Sequence, residues 1–265
     1  MKRIGKILAL LLVLVLGITA CGDSHQETMF NKGTKDSSYV KEKGTLIVGI
    51  TEFVPLDYKK EDSWVGFDAD LAREFARELG VSVEFCEIEW ENKEDVLAEG
   101  RIDCVWNGMT LTEEVKESMS CSKPYLNNAQ VVIVAKSRAQ ECQLEEDCMH
   151  YLFAVESGSA GEKELNRRNY RYTPVKTQKE ALEQVRKGRA DVAIVDSILA
   201  AAMVGEGTSY PDLTYTVSLS DEEFGVGFRQ ESDLTELLNK FLEQKKQDGT
   251  IDKIAKQYGV QAALL

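Results

Sequence analysis

Asp196 ends the apolar run Val192–Val195, at the carboxyl edge of a strand, where α/β proteins bind their ligands. A carboxylate there accepts charge-assisted hydrogen bonds, which are strong once water is excluded. Asp196 also precedes the helical stretch Ser197–Met203, so capping that helix is the competing role. Trp90 lies among Glu89, Glu91 and Asn92; a large indole with such neighbours suits a binding wall better than a core position. Phe53, in the loop after the first strand, reads similarly. Gly158-Ser159-Ala160-Gly161 precedes a helical stretch whose exposed amides suit an anion, although such a turn is by itself a weak signal. For acid–base chemistry the loops offer Glu52 and Asp57, which suit a solvated surface equally well. The two histidines, His25 and His150, lie far apart, and no two cysteines form a Cys-x-x-Cys pair. Zinc therefore has little support, and no metal or cofactor is expected.

The elements that position these residues must come from 265 residues, enough for one large domain or two ordinary lobes. Hydrophobic residues make up 43%, with only 4 Pro, which suits a globular chain with a substantial core. Asp and Glu number 45 against 32 Lys and Arg, a net charge of -13. Such a chain repels a phosphate backbone, so nucleic acid is excluded as a general partner.

The N-terminus has basic residues Lys2, Arg3 and Lys6 and then the apolar run Ile7–Leu16. That run is far too short to span a bilayer and has the layout of an export signal, read as residues 1–20. Ile18-Thr19-Ala20 before Cys21 resembles the lipobox of bacterial lipoproteins, in which the Cys carries lipid and becomes the mature N-terminus. Cleavage near Thr19-Ala20 that leaves Cys21 a plain thiol is the alternative. Residues 21–39 are polar and small and read as a flexible spacer. Five cysteines remain, Cys86, Cys104, Cys121, Cys142 and Cys148. Their odd number leaves at least one unpaired. Cys142 and Cys148 flank the acidic loop Gln143–Asp147 and are the best-placed pair, although spacing does not establish bridging geometry; Cys104 reads as a buried small hydrophobe.

Thr45–Ile50 is an apolar run of strand length, Asp68–Leu79 is an amphipathic helix stopped by Gly80, and Val81–Phe85 alternates like a strand. A short helix over 93–99 ends at Gly100. The unit that follows, Gly100-Arg101-Ile102-Asp103-Cys104-Val105, is echoed by Gly188-Arg189-Ala190-Asp191-Val192-Ala193, a helix-stop-strand pattern used twice. The repeat predicts two similar α/β lobes, with the Arg and Asp near the rim, and chance similarity of a common αβ turn is the alternative. Gln130–Lys136 and Phe224–Phe228 are the predicted crossings between lobes, and helices near 234–242 and 251–258 return to the first lobe. The predicted division is 40–134 with 225–265 for lobe 1 and 135–224 for lobe 2. Two crossings form a paired hinge suited to closure on a small molecule.

Several motifs carry a family resemblance over residues 40–260: Gly66-Phe67-Asp68-Ala69-Asp70-Leu71, Asn107-Gly108-Met109-Thr110-Leu111-Thr112, Ser122-Lys123-Pro124-Tyr125, Phe224-Gly225-Val226-Gly227 and Asp248-Gly249-Thr250-Ile251. In their order the chain resembles bacterial extracellular solute-binding proteins of the polar amino-acid type, the receptors of ABC importers. The resemblance implies a two-lobed periplasmic-binding-protein-like α/β fold, each lobe a mixed sheet flanked by helices and joined by two crossing strands. It also implies Phe53 and Trp90 as aromatic walls and Asp196 as acceptor for a ligand ammonium. Asn107, Gly108 and Thr110 fall on the loop that holds ammonium and carboxylate, and Ser159, Ala160 and Gly161 on the anion-binding turn. Two positions depart from the family's pattern: Val115 stands where an Arg usually clamps the carboxylate, and Ala160 where a Thr often assists it. Backbone amides, a recruited cation such as Lys116 or Arg138, or a ligand other than an ordinary α-amino acid are the open explanations. The function implied is a monomeric, non-enzymatic receptor on the extracellular face of the cell membrane, held by lipid on Cys21, that captures a small polar solute, most readily an amino acid, for a permease and its ATPase. A dehydratase-like enzyme on the same fold and a ligand sensor without transport are the alternatives.

Overall fold

The computed structural model describes residues 35–265. The expected export signal, Cys21 and most of the spacer lie outside them. The last part of the stretch read as spacer is ordered: helix α1 (Asp36–Lys43) begins inside it, with Asp36 and Val40 buried. Its polar composition hid a helix with only one apolar anchor. Then follow β1 (Thr45–Ile50), the hairpin β2 (Tyr58–Lys60) and β3 (Ser63–Val65), α2 (Phe67–Leu79), β4 (Ser82–Glu87), a 3₁₀ turn over Trp90–Asn92, α3 (Lys93–Ala98), β5 (Cys104–Thr110), α4 (Glu113–Ser118) and β6 (Ser120–Cys121). The chain continues through β7 (Leu126–Ala135), α5 (Glu145–Cys148), β8 (Phe153–Glu156), α6 (Ala160–Arg168), β9 (Tyr172–Val175), α7 (Gln178–Arg186), β10 (Val192–Asp196) and α8 (Ser197–Met203). It closes with β11 (Leu213–Phe228), α9 (Leu234–Gln247) and α10 (Thr250–Tyr258).

One mixed sheet runs β4-β1-β5-β11-β7-β10-β8-β9, with β6 beside β11. The fold is α/β and two-lobed: β4, β1 and β5 are parallel neighbours at one end, β10, β8 and β9 at the other. Long antiparallel β7 and β11 join them. These crossing strands are longer than the apolar runs 130–136 and 224–228. Of residues 213–223 of β11 only Leu213 and Val217 are buried and the rest are half-buried or exposed, which concealed a strand from a search for continuous apolar runs.

The repeated motif has a physical counterpart. Gly100 and Gly188 end their helices with φ of +75° and +65°, a conformation that glycine adopts without a Cβ penalty. Each following Asp then pins the strand beside it: Asp103 accepts from the Ile47 amide (2.7 Å) and Asp191 from the Leu152 amide (2.9 Å). Asp103 is not at the rim as expected. It is fully buried, because Lys43 (2.7 Å) and Arg229 (3.4 Å) close over it as counter-ions. The C-terminal helices return to the first lobe, where Phe241 packs on Phe75 and the Tyr258 hydroxyl donates to Asp70 at 2.7 Å.

Cys142 and Cys148 form a disulfide, while Cys104 is buried and reduced and Cys86 and Cys121 are half-buried thiols. The bridge closes a loop of sequence separation 6, and chain-entropy arguments give such a short closure about 2 kcal/mol. Replacing both cysteines with alanine is expected to lower the unfolding free energy by about that amount, read as a lower urea midpoint at unchanged m, and to leave ligand affinity unchanged, since the loop lies away from the cleft.

Candidate functional site

The cleft between the lobes is walled on the first-lobe side by Phe53, Trp90, Lys93, the segment from Asn107 to Thr110, Thr112 and Val115. Glu156, Gly158, Ser159, Ala160, Lys163, Gln178 and Asp196 wall the other side. Both aromatic residues therefore face the cleft and are also packed: Phe53 sits edge-on to Phe224 at 6.1 Å, and Trp90 joins Val96, Leu97 and Val105 in a local core.

Asp196 ends β10 and precedes α8, yet its side chain makes no capping bond to that helix. Its carboxylate accepts instead from the amides of Asn128, Gln130 (2.7 Å) and Gln178. Gln130 stands directly opposite Asp196 on β7, and Asn128 opposite Glu222 on β11. Asn128 and Gln130 therefore donate to Glu222 as well, at 3.2 and 3.0 Å. Burial, reinforced by the Glu222 charge, pushes Asp196 up to about 7. Glu222 is likewise raised by burial. Glu156, at the end of β8, is raised to about 8 by burial and then by the Asp196 charge. Among the described residues no Lys or Arg nitrogen lies within 4.0 Å of any of the three. The cleft thus holds buried carboxyl groups braced by neutral amides and without a cation of their own, a receptacle for a positive group.

Residues Asn107–Thr110, expected on a loop, form the carboxyl-terminal part of strand β5, and their polar groups are already engaged. The Asn107 side chain exchanges two hydrogen bonds with Thr51 (2.9 and 2.8 Å) and fixes β5 to the end of β1. The Gly108 amide donates to Asp68 (2.7 Å), and the Thr110 hydroxyl donates to Glu222 (2.9 Å). Gly108 lies at φ +55°, where a Cβ would meet Phe53 and Leu56 at 2.7 Å, so the aromatic wall depends on its missing side chain. On the opposite side Ser159 caps α6 by accepting from the Glu162 amide. Ala160 lines the cleft, and Gly161 sits close beneath Gln130, whose Oε1 would lie 2.8 Å from a Cβ there.

Of the cations suggested to replace an Arg at Val115, neither is recruited. Lys116 pairs with Glu113 on its own helix turn (3.0 Å), and Arg138 pairs with Asp191 (3.0 Å) and Glu141 (3.2 Å) outside the cleft lining. Short-range partners captured both. Val115 is itself buried in the cleft wall. The acid–base candidates also fall elsewhere: Glu52 pairs with Lys179 at 2.8 Å, and Asp57 is fully buried beside Asp68, its pKa raised by burial. Lys93, Glu156 and Gln178 were not foreseen as lining residues, nor Asn128, Gln130 and Glu222 as supports. Glu156 had a legible signal, since it ends the apolar run Phe153–Val155 as Asp196 ends Val192–Val195.

Contacts cross the cleft from lobe to lobe. The Lys93 ammonium donates to the Gly158 carbonyl (3.0 Å), Lys176 pairs with Glu89 (3.2 Å), Lys179 with Glu52 (2.8 Å), and Lys163 with Glu114. These contacts hold the two sides of the cleft together. No described helix is long and apolar enough to cross a membrane.

Residues 46–261 match the sequence profile of the bacterial extracellular solute-binding proteins, family 3. The arginine-binding extracellular protein ArtP of Bacillus subtilis is 28% identical over 92% of this chain and 93% of its own length. A substrate-binding protein of an ABC uptake transporter from Streptococcus pneumoniae, solved with bound histidine, is similar at a TM-score of 0.80 and 28% identity, over 86% of this chain and 98% of that one. An ancestral amino acid-binding protein described as a precursor of cyclohexadienyl dehydratase is similar at a TM-score of 0.77 and 30% identity, over 84% and 98%. With a match that spans both lobes, the chain belongs to the bacterial extracellular solute-binding proteins of family 3.

Proposed function

We propose that this protein captures an amino acid between its lobes, with the α-ammonium on Asp196, and delivers it to an ABC permease and its ATPase. The observation that carries this reading is the pair of buried carboxyl groups Asp196 and Glu156 with half-buried Glu222 beside them, braced by carboxamides and lacking any Lys or Arg nitrogen within 4.0 Å among the described residues. Phe53 and Trp90 cover the ligand's carbons, and the end of β5 at Asn107, Gly108 and Thr110 and the turn at Ser159, Ala160 and Gly161 complete the site. Lobe 1 comprises residues 40–134 and 225–265, with α1 added at its start, and lobe 2 residues 135–224. The lipobox-like segment before Cys21 supports lipid anchoring on the extracellular face of the membrane. Arginine and histidine, the ligands of two similar proteins, make cationic amino acids the first to test, and the excess of acidic groups in the cleft favours them over acidic ones.

The reading has a pH signature. Asp196 is raised to about 7, so below that pH it is largely protonated, whereas an ammonium requires it ionised. Binding lowers its pKa and releases a proton, so affinity rises with pH, by close to tenfold per unit well below 7 and less above it. Calorimetric titration of L-arginine, L-histidine and L-glutamate at pH 5.5, 6.5 and 7.5, in buffers of different ionisation enthalpy, measures affinity and protons together. Tighter binding of glutamate, or affinity that falls as pH rises, would overturn the assignment.

A further inference from the structure

We propose that Lys93 is the cationic anchor for the carboxylate of the bound amino acid; the inference rests on the binding function proposed above. Two cationic side chains line the cleft, Lys93 and Lys163. Lys163 is already matched to Glu114. Lys93 is 5% exposed and, among the described residues, has no carboxylate oxygen within 4.0 Å. Its ammonium donates only to two carbonyls, that of Trp90 at 3.3 Å and that of Gly158 at 3.0 Å. An ammonium carries three donors, so one remains for a further acceptor. The nearby Glu162 is engaged with the Gly158 amide at 2.8 Å, and Glu156 is kept largely protonated by its burial.

A buried cation held by two carbonyls and the face of the Trp90 ring, 5.0 Å from its centroid, still lacks a counter-ion, and an anion brought into its shell lowers the cost of burying it. The turn it bridges adds to the attraction for an anion. Ser159 caps α6, whose first helical hydrogen bond is the Lys163 amide to the Ser159 carbonyl (3.3 Å), so the Ala160 and Gly161 amides precede it in the first turn. Lys93 thus joins the positive end of a helix on the opposite lobe. Asp196 and Lys93 then supply opposite charges to the two ends of an amino-acid zwitterion, while Val115 contributes none. The ammonium reaches the Gly158 carbonyl only across the cleft, so the same residue couples carboxylate recognition to closure.

The test compares wild type, Lys93→Met and Lys93→Arg, titrated with L-arginine and L-arginine amide and, as a second pair, L-histidine and L-histidine amide. Wild type is expected to prefer each acid over its amide by about 30-fold or more. Lys93→Met should lose that preference by weakening the acid alone, and Lys93→Arg should restore part of it. The unliganded melting temperature of Lys93→Met should equal or exceed that of wild type, because the variant removes a buried charge. Retention of the acid-over-amide preference by Lys93→Met overturns the inference while leaving the amino-acid reading intact. Failure of wild type to bind any of the four probes counts against the binding function instead, and the melting temperature then decides the role of Lys93. A marked fall on Lys93→Met makes it a structural brace for the Trp90 and Gly158 carbonyls and overturns the anchor, whereas an unchanged or higher value sustains a charge placed for an anion.

Discussion

Asp196→Asn is expected to weaken L-arginine binding about 100-fold or more, while the variant still unfolds cooperatively. The substitution keeps the shape of the side chain and removes the charge that the ligand ammonium meets. In a closed cleft an ammonium left facing a neutral acceptor costs about 3 kcal/mol, within the range for breaking a desolvated charge pair. Asparagine cannot restore this, because the Asn128, Gln130 and Gln178 amides already direct donors at the Asp196 carboxylate, and a new NH₂ group would face one of them. The pH response provides a second readout. The folded carboxyl is raised to about 7 from its ordinary value of 3.8, so the folded state holds its proton more tightly than the unfolded chain. The stability that this group contributes is therefore full below about pH 4 and is lost as pH rises through about 7. Wild type without ligand should lose thermal stability across that window, and Asp196→Asn should lose less. Wild-type affinity in the variant at pH 7.5 would show that the ammonium binds elsewhere.

Asp196 was legible because it needed only local information: an apolar strand, an acid at its carboxyl end and the rule that ligands gather there. The rest of its environment was not. Asn128, Gln130, Gln178 and Glu222 come from β7, the start of α7 and β11. They converge only once the register pairs Gln130 with Asp196 and Asn128 with Glu222, and that pairing depends on strand neighbours distant in sequence. Lys93 escaped notice for a related reason. It opens a short polar helix that, read alone, is a solvated surface turn, and its burial arises from the approach of Gly158 in the other lobe. Lys116 and Arg138 illustrate the converse. Both were plausible cations by position, but an acid three residues away is a nearer partner than any ligand. The lobes themselves were readable from the twice-used Gly-Arg-x-Asp unit, since the helix stop and the strand that follows are local features. The full length of β11 was not, because the first part of this bridging strand is mostly half-buried or exposed, with only Leu213 and Val217 buried.

Gly158→Ala is expected to weaken ligand binding by about 30-fold or more without a comparable loss of stability, because the residue marks where the lobes meet. Gly158 has φ +71°, and a Cβ there would lie 2.5 Å from the Cα of Glu91 and 3.1 Å from its backbone nitrogen. A backbone atom cannot turn aside as a side-chain end does, so relief requires the lobes to separate. Separation would stretch the Lys93–Gly158 hydrogen bond and draw Trp90, next to Glu91, away from the turn at Ser159. Binding energy that closure would realise is then lost. The left-handed backbone alone costs an alanine about 1 kcal/mol, and Gly188→Ala isolates that term: Gly188 has φ +65° and nothing within 4 Å of a built Cβ. Gly161→Ala provides an intermediate case, since its nearest neighbour is the Gln130 side-chain oxygen at 2.8 Å, which can move aside. The expected order of affinity for L-arginine is therefore Gly188→Ala close to wild type, Gly161→Ala weaker and Gly158→Ala weakest. Small-angle scattering supplies the structural counterpart: saturating ligand should contract wild type and Gly188→Ala but leave Gly158→Ala near its unliganded radius of gyration. Equal contraction in all three would mean that the Gly158–Glu91 contact does not limit closure, and the affinity loss would then have to arise within the second lobe.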